Sequence, residues 1–307
     1  MKRIALVLVA LLLAACHDVR RAPASSAGAK SASPATQGIY DNHAQVWQSH
    51  ETAPGAAQPP HVIVTIEPTN QPDWTLWRVH LDATPPIEAL WAIHAVAQSD
   101  GATSLVPHRP LAATPAAAPA FDAQQWAALD ACTLRTPARA TVASADLASC
   151  AAIVPGIGAE AALLPLAIER DGEWLRVRLN ADQARGADAR EDLRLVRWFT
   201  GWGAINGGGP KADAASRDWH MDRALRIGNE GGRYPLKWRD GSASGYSLVL
   251  ERLTYREGNV PVLKLSVVTD ADGATLAYAW ANPEATRIGI NLGWVQVGLD
   301  LEAVATK

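Results

Sequence analysis

The feature that most constrains this chain is the run of alternating segments over residues 245–304. GYSLVLERLTYRE, VPVLKLSVVTD, ATLAYAWA and GWVQVGLDLEAV follow one another, separated by the turn-forming stretches EGN and DADG and by a longer connection over residues 282–292. In the second segment Leu263, Leu265 and Val267 alternate with Lys264 and Ser266. In the last, Val295, Val297, Leu299 and Leu301 alternate with Gln296, Gly298 and Asp300. A side-chain period of two sustained over this length belongs to strands with one buried and one wet face, and the short connections imply antiparallel neighbours. The expectation is an antiparallel β-meander over the last quarter of the chain.

Strand signals recur upstream. Val62, Val64 and Ile66 alternate with Ile63 and Thr65, and Trp77, Val79 and Leu81 alternate with Arg78 and His80. Residues 87–97 fit neither the strand nor the helix period cleanly. Around Arg170-Asp171-Gly172-Glu173 a turn separates two alternating arms, the second carrying Leu175, Val177 and Leu179, which predicts a hairpin. Asp122 followed by Gln125 has the spacing of a capping box and predicts a short helix over 122–131. The Gly-rich passage over 201–210 marks the best boundary between two strand-rich halves. The predicted fold class is therefore mostly β: an antiparallel barrel or sandwich with a short helix, followed by a second antiparallel β region.

The N-terminus bears on address. Lys2 and Arg3 precede an apolar core over residues 4–12, and Leu13-Ala14-Ala15-Cys16 has the form of a lipoprotein cleavage box, with Cys16 as the lipidated first residue of the mature chain. The other reading is an ordinary signal peptide with an incidental cysteine. The apolar run is too short to span a bilayer as a helix. His17, not aspartate, follows the cysteine, which favours an outer-membrane anchor on the periplasmic face, held by acyl chains. Residues 17–37, rich in Ala, Ser, Pro and Gly, read as a flexible tether. In an oxidising compartment Cys132 and Cys150 are expected to form a disulfide; a two-thiol metal site would lack both CxxC spacing and a nearby histidine.

With 28 basic against 31 acidic residues and no basic run, the chain has no electrostatic footprint for nucleic acid. Twelve tryptophans against two phenylalanines are either core filling or the lining of a cavity. The densest polar constellation is Asp218, His220 and Asp222. In a strand these three would share a face, where acid–base or hard-metal chemistry is geometrically possible; isolated, they read as structural polar residues. HExxH, GxGxxG and GxxxxGK[ST] are absent, and Gly241-Ser242-Ala243-Ser244-Gly245 lacks the serine of a nucleophile elbow at its centre.

Gly38-Ile39-Tyr40-Asp41-Asn42 with Gln45 reads G-x-[FY]-x-N-x-x-Q, which resembles the opening motif of the CpcT/CpeT chromophore lyase family. Glu67-Pro68, Cys132 and Trp202-Gly203 follow in a similar order. The resemblance spans about residues 38–203 and implies a calycin-like antiparallel barrel with a cavity, in a family that attaches linear tetrapyrroles to cysteines. It sets Tyr40, Asn42 and Gln45 on the matching motif positions and carries over no catalytic residue; these three, together with Trp77 of the 74–81 segment, are the ligand-binding candidates. The domain organisation expected is a signal peptide over 1–16, a tether over 17–37, the barrel over 38–203 and a C-terminal β domain over 204–307. The function expected is that of a non-enzymatic envelope lipoprotein without a resident cofactor, binding a small apolar or aromatic ligand or an envelope partner. The alternatives are a tetrapyrrole lyase-like protein and a hydrolase or metalloenzyme centred on Asp218, His220 and Asp222.

Overall fold

The computed structural model describes residues 37–112, 120–137, 140–213, 215–255 and 260–303. The expected signal peptide, Cys16, the tether and the first turn of the predicted meander lie outside the described residues. The chain is mostly β and builds a closed antiparallel barrel followed by a layer of two further antiparallel sheets.

The first is a closed ten-stranded barrel. Its strands are β1 (Gly38–Asp41), β2 (Val62–Pro68), β3 (Trp74–Leu81), β4 (Ile87–Ala97) and β5 (Thr103–Pro110), then β7 (Leu134–Thr136), β8 (Val142–Ser144), β9 (Pro165–Asp171), β10 (Trp174–Leu179) and β11 (Glu191–Leu195). A short strand β6 (Trp126–Ala128) pairs with β5 outside the ring. The barrel closes where its first strand meets its last, with Tyr40 opposite Leu195 and Asp41 opposite Arg194. Alternate residues of these strands point inward, and Val64, Trp77, Trp91, Leu166, Val177 and Leu193 belong to one buried cluster. Trp77 and Trp91 are cross-strand partners, and the Trp91 indole N–H donates to the Leu163 carbonyl at 3.1 Å, tying a 3-10 turn (Ala159–Leu163) to the barrel wall. Cys132 and Cys150 form the expected disulfide, with Cα atoms 4.5 Å apart, joining the β6–β7 turn to helix α2 (Leu147–Ala151).

One local expectation is corrected and one open reading is resolved. Asp122 accepts from the Gln124 N–H, but the cap serves only a single 3-10 turn (Ala123–Gln125), after which the chain becomes extended as β6. Extension lets Trp126 join Phe121, Leu76 and Ala92 in a small apolar cluster apart from the barrel core. That cluster also explains the ambiguous pattern over 87–97. The segment is one long strand whose Trp91 and Ile93 join the barrel core while Ala92, of the opposite parity, is covered by the second cluster, so both faces are apolar.

The second layer is a sandwich of two four-stranded antiparallel sheets. One has the order β13 (Trp219–Gly228), β12 (Trp198–Asn206), β19 (Val295–Leu301), β18 (Arg287–Asn291). The other runs β14 (Glu230–Lys237), β15 (Ala243–Leu253), β16 (Val262–Thr269), β17 (Thr275–Ala281). Phe199, Ile227, Leu248, Leu265, Ile290 and Leu299, drawn from both sheets, fill the space between them. The predicted meander is thus real only as far as β17. The 282–292 connection contains β18, which crosses to the other sheet, because β19 is needed as the partner of β12.

The boundary placed at 203/204 falls inside β12, and the change of sheet occurs at Val196-Arg197, between β11 and β12. The glycines there serve strand packing. A Cβ on Gly201 would lie 2.0 Å from the Gly298 carbonyl oxygen, so only glycine allows β12 and β19 to approach at that position.

Candidate functional site

The junction between barrel and sandwich holds a dense set of buried polar groups, and the opening motif sits in it. Asn42, at the N-terminus of helix α1 (His43–Thr52), is fully buried. Its amide N–H groups donate to Glu191 Oε2 at 2.7 Å, to the Pro60 carbonyl at 2.8 Å and to Gln45 Oε1 at 3.1 Å, while its oxygen accepts from the Val62 N–H at 2.7 Å. Gln45 in turn bonds the Arg190 carbonyl and the Asp192 N–H. The two motif amides therefore stitch β1, β2 and the start of β11 together at the seam of the barrel. Tyr40 and Trp77 are enclosed in the barrel core. Burial pushes the Glu191 carboxyl up to about 7, opposed by Arg185, which pairs with both Glu191 and Asp182.

Beside the seam runs a chain of alternating carboxylates and imidazoles. His61 donates from Nε2 to Asp41 Oδ1 at 2.8 Å and from Nδ1 to Asp82 Oδ2 at 2.5 Å; Asp82 also meets His80 at 2.9 Å, and His80 reaches Glu88 at 3.3 Å. The hydrogen bond to Asp41 is the main reason the His61 pKa rises to about 9, with further support from Asp82 and opposition from burial. The ring is therefore an imidazolium at neutral pH and acts as a cationic clasp between two acids.

The sandwich faces this seam with charges of its own. Arg194 on β11 makes a bidentate pair with Glu230 on β14, both contacts at 2.7 Å, and a third bond to the Arg252 carbonyl at 2.6 Å. Arg252 reaches back to Glu173 of the barrel at 2.6 Å, and His43 of α1 lies 3.0 Å from Glu251 of β15. Burial raises the Glu230 carboxyl to about 7 against the pull of Arg194. Although burial disfavours its charge, Glu251 is held below the usual range by His43 and Lys264. Apart from Lys264, which faces Glu251 from the neighbouring strand, these partners were not legible in the sequence, because they lie 36 to 208 positions apart.

The sequence-derived cluster is divided. On β13, His220 and Asp222 lie on one side, as alternation requires, beside Tyr234 and Lys237 of β14. The Tyr234 hydroxyl donates to Asp222, which lowers the Asp222 pKa; burial, then that bond, raises the phenol to about 12. Asp218 precedes the strand and faces Arg239 at 3.5 Å. Among the described residues no group of three or more His, Cys, Asp or Glu side chains is arranged to hold a metal.

A concavity lies on the outer face of the β12–β13–β19 sheet. Here a groove of about 670 Å³ is flanked by Trp219, Met221 and Trp294, with Arg217, Asp213 and Gln296 supplying polar groups. Trp219 and Met221 are the outward-facing partners of His220 and Asp222 along β13, so the same alternation that directs the polar pair to one side lays an apolar strip on the other. Trp202 continues this strip over Gly298, where a Cβ would lie 2.9 Å from the indole nitrogen. The sequence reading singled out the tryptophan excess but not these positions. Their signal was the pairing of Trp219 and Met221 at spacing two.

Fold and site together define a mostly β protein in which a closed barrel is clasped by buried charges to a sandwich carrying an aromatic groove. No family model, no curated protein and no solved structure matches the chain.

Proposed function

We propose that this chain is a non-enzymatic binding protein of the bacterial envelope. In this reading it is anchored through Cys16 to the periplasmic face of the outer membrane, and it takes a small, flat, apolar or aromatic ligand in the sandwich groove. The observation that carries the binding reading is the groove itself, whose volume suits a molecule of drug-like size and whose walls are aromatic with a few polar groups at the margin. Indole faces and the Met221 thioether favour a ring system, and Arg217, Asp213 and Gln296 favour a polar edge on it. The motif residues support a structural part for the seam, since the Asn42 and Gln45 side chains bond within the fold.

The test is native mass spectrometry and absorbance of the full chain purified from its source cells, beside Trp219→Ala and Trp294→Ala variants. A co-purifying small molecule lost from both variants is the expected result. A ligand retained by both would place binding elsewhere, and visible absorption retained by both would favour the tetrapyrrole reading. For the anchor, Cys16→Ala should release the protein from membranes; continued membrane fractionation refutes lipidation at Cys16.

A further inference from the structure

The sandwich ends in four edge strands, and three carry the devices that discourage pairing. β14 has Arg233, Pro235 and Lys237 and two register shifts; β13 has Asp222, Arg223 and Arg226; β18 has Arg287 and Gly289. Charges, proline and bulges on an edge block the addition of a further strand. β17, with the sequence TLAYAWA, has no charge and no proline. Its one irregularity is at Leu276, where the register against β16 shifts, and from Ala277 to Ala281 it runs regularly.

The exposure of this strand follows the same pattern. Leu276, Tyr278 and Trp280 are 45%, 55% and 56% exposed, an uncommon accumulation of large apolar side chains on one short segment. Ala277, Ala279 and Ala281, which face the sandwich interior, are only partly buried, so the edge is open on that side as well. The outward rings are already organised. Tyr278 and Trp280 stack with centroids 5.2 Å apart, Trp280 lies 5.5 Å from Tyr255, and Tyr255 meets Trp47 of α1 at 4.9 Å. Lys264 underlies the group, within 6 Å of the Tyr255 and Tyr278 rings, and is tied to Glu251. The platform therefore needs no outside cation.

The regular segment is complementary to itself. Antiparallel addition about a two-fold axis through Ala279 sets Ala279 opposite its own copy and Ala277 opposite the partner's Ala281. It sets Tyr278 opposite the partner's Trp280, twice. Small residues meet on the core side and aromatic pairs form on the outer side, the combination that cross-strand pairing rewards. The two-fold relation makes the contact isologous and closed, so it stops at two chains. From this arrangement we infer that β17 is a homodimer edge, on which a second copy of the chain extends the four-stranded β14–β17 sheet into a continuous eight-stranded one.

Single cysteine substitutions in the full chain test this register. Ala279→Cys should form a disulfide-linked dimer under mild oxidation, and Ala277→Cys alone should not, because its own copy lies several residues away in the antiparallel register. An equal mixture of Ala277→Cys and Ala281→Cys should cross-link. Sedimentation of the wild-type chain should give a dimer in the micromolar range. Tyr278→Lys, an exposed change, should weaken that dimer at least tenfold while leaving thermal unfolding of the chain in place. A monomeric wild-type chain at those concentrations overturns the proposal. So does an Ala277→Cys sample that links to itself as readily as Ala279→Cys, which would mark random collision.

Discussion

Replacing Arg194 with methionine tests whether buried charge joins the barrel to the sandwich. In the native chain its guanidinium makes two 2.7 Å bonds to Glu230 and one 2.6 Å bond to the Arg252 carbonyl, and both charged side chains are almost wholly excluded from water. Arg194→Met leaves the Glu230 carboxyl buried without its counter-charge. Breaking a buried pair from one side costs about 3–5 kcal/mol. At roughly 2–4 °C per kcal/mol for a unit of this size, the midpoint of thermal unfolding should fall by roughly 6–20 °C at pH 7. The double variant Arg194→Met/Glu230→Leu removes both charges and should recover most of the loss, because a well-packed apolar pair is often equivalent to a buried ion pair. Acidification supplies a third arm. With Arg194 present the Glu230 carboxyl takes up its proton near 7, and without the arginine it does so at higher pH, so the deficit of the single variant should shrink as pH falls from 9 towards 7 and change little below that. Circular dichroism melts of the three proteins at pH 7 and pH 9 measure all of this. A single variant that melts within a degree of wild type, or a double variant no more stable than the single, would refute the assignment of the joint to this pair.

Three further outcomes follow from the same seam and its surroundings. Asn42→Ala removes donors to Glu191 and Pro60 and the acceptor of the Val62 N–H, the first and last of them buried, and should cost about 2–4 kcal/mol in denaturant unfolding, with Asn42→Asp worse because it sets another carboxyl beside Glu191. His61, raised to about 9 in the fold against 6.5 unfolded, contributes stability that is complete below pH 6.5 and is lost as pH rises through 9; His61→Ala should flatten the stability profile across that window, and an unchanged slope would contradict the clasp. Reduction of Cys132–Cys150, which closes a loop with a sequence separation of 18, should lower stability by about 3 kcal/mol, read as a shift in the urea midpoint.

What the sequence disclosed was the part that lies within one or two turns of chain. The alternation of Trp77, Val79 and Leu81, the hairpin with Gly172 at a φ of +57°, and the alternating β16 and β19 all appear as read, because each pattern is local. The helix over 122–131 was misjudged because a cap cannot reveal that Trp126 has an apolar cluster to join. The boundary at 203/204 was misjudged because glycine in a crowded strand has the same letter as glycine in a linker. Asn42 and Gln45 were visible as a motif, but their partners Glu191 and Arg190 are about 150 positions away. The groove was hidden for a related reason: Trp219 and Trp294 reach one surface only after the chain crosses between the sheets twice.

The closure of each module carries a consequence for rearranging the chain. The Val196 N–H bonds the Ile39 carbonyl at 2.7 Å, so the entrance and exit of the barrel touch; the Glu302 N–H bonds the Trp198 carbonyl at 2.8 Å, so those of the sandwich touch as well. Each module is thus a loop whose two ends leave from one spot, and both spots flank Arg197. Such a chain is suited to circular permutation within either module, with new termini opened at a hairpin several strands away, such as the exposed Asp100-Gly101 turn between β4 and β5. It is equally suited to gene fusion, since a module with adjoining ends can be spliced into a host surface loop without being pulled apart.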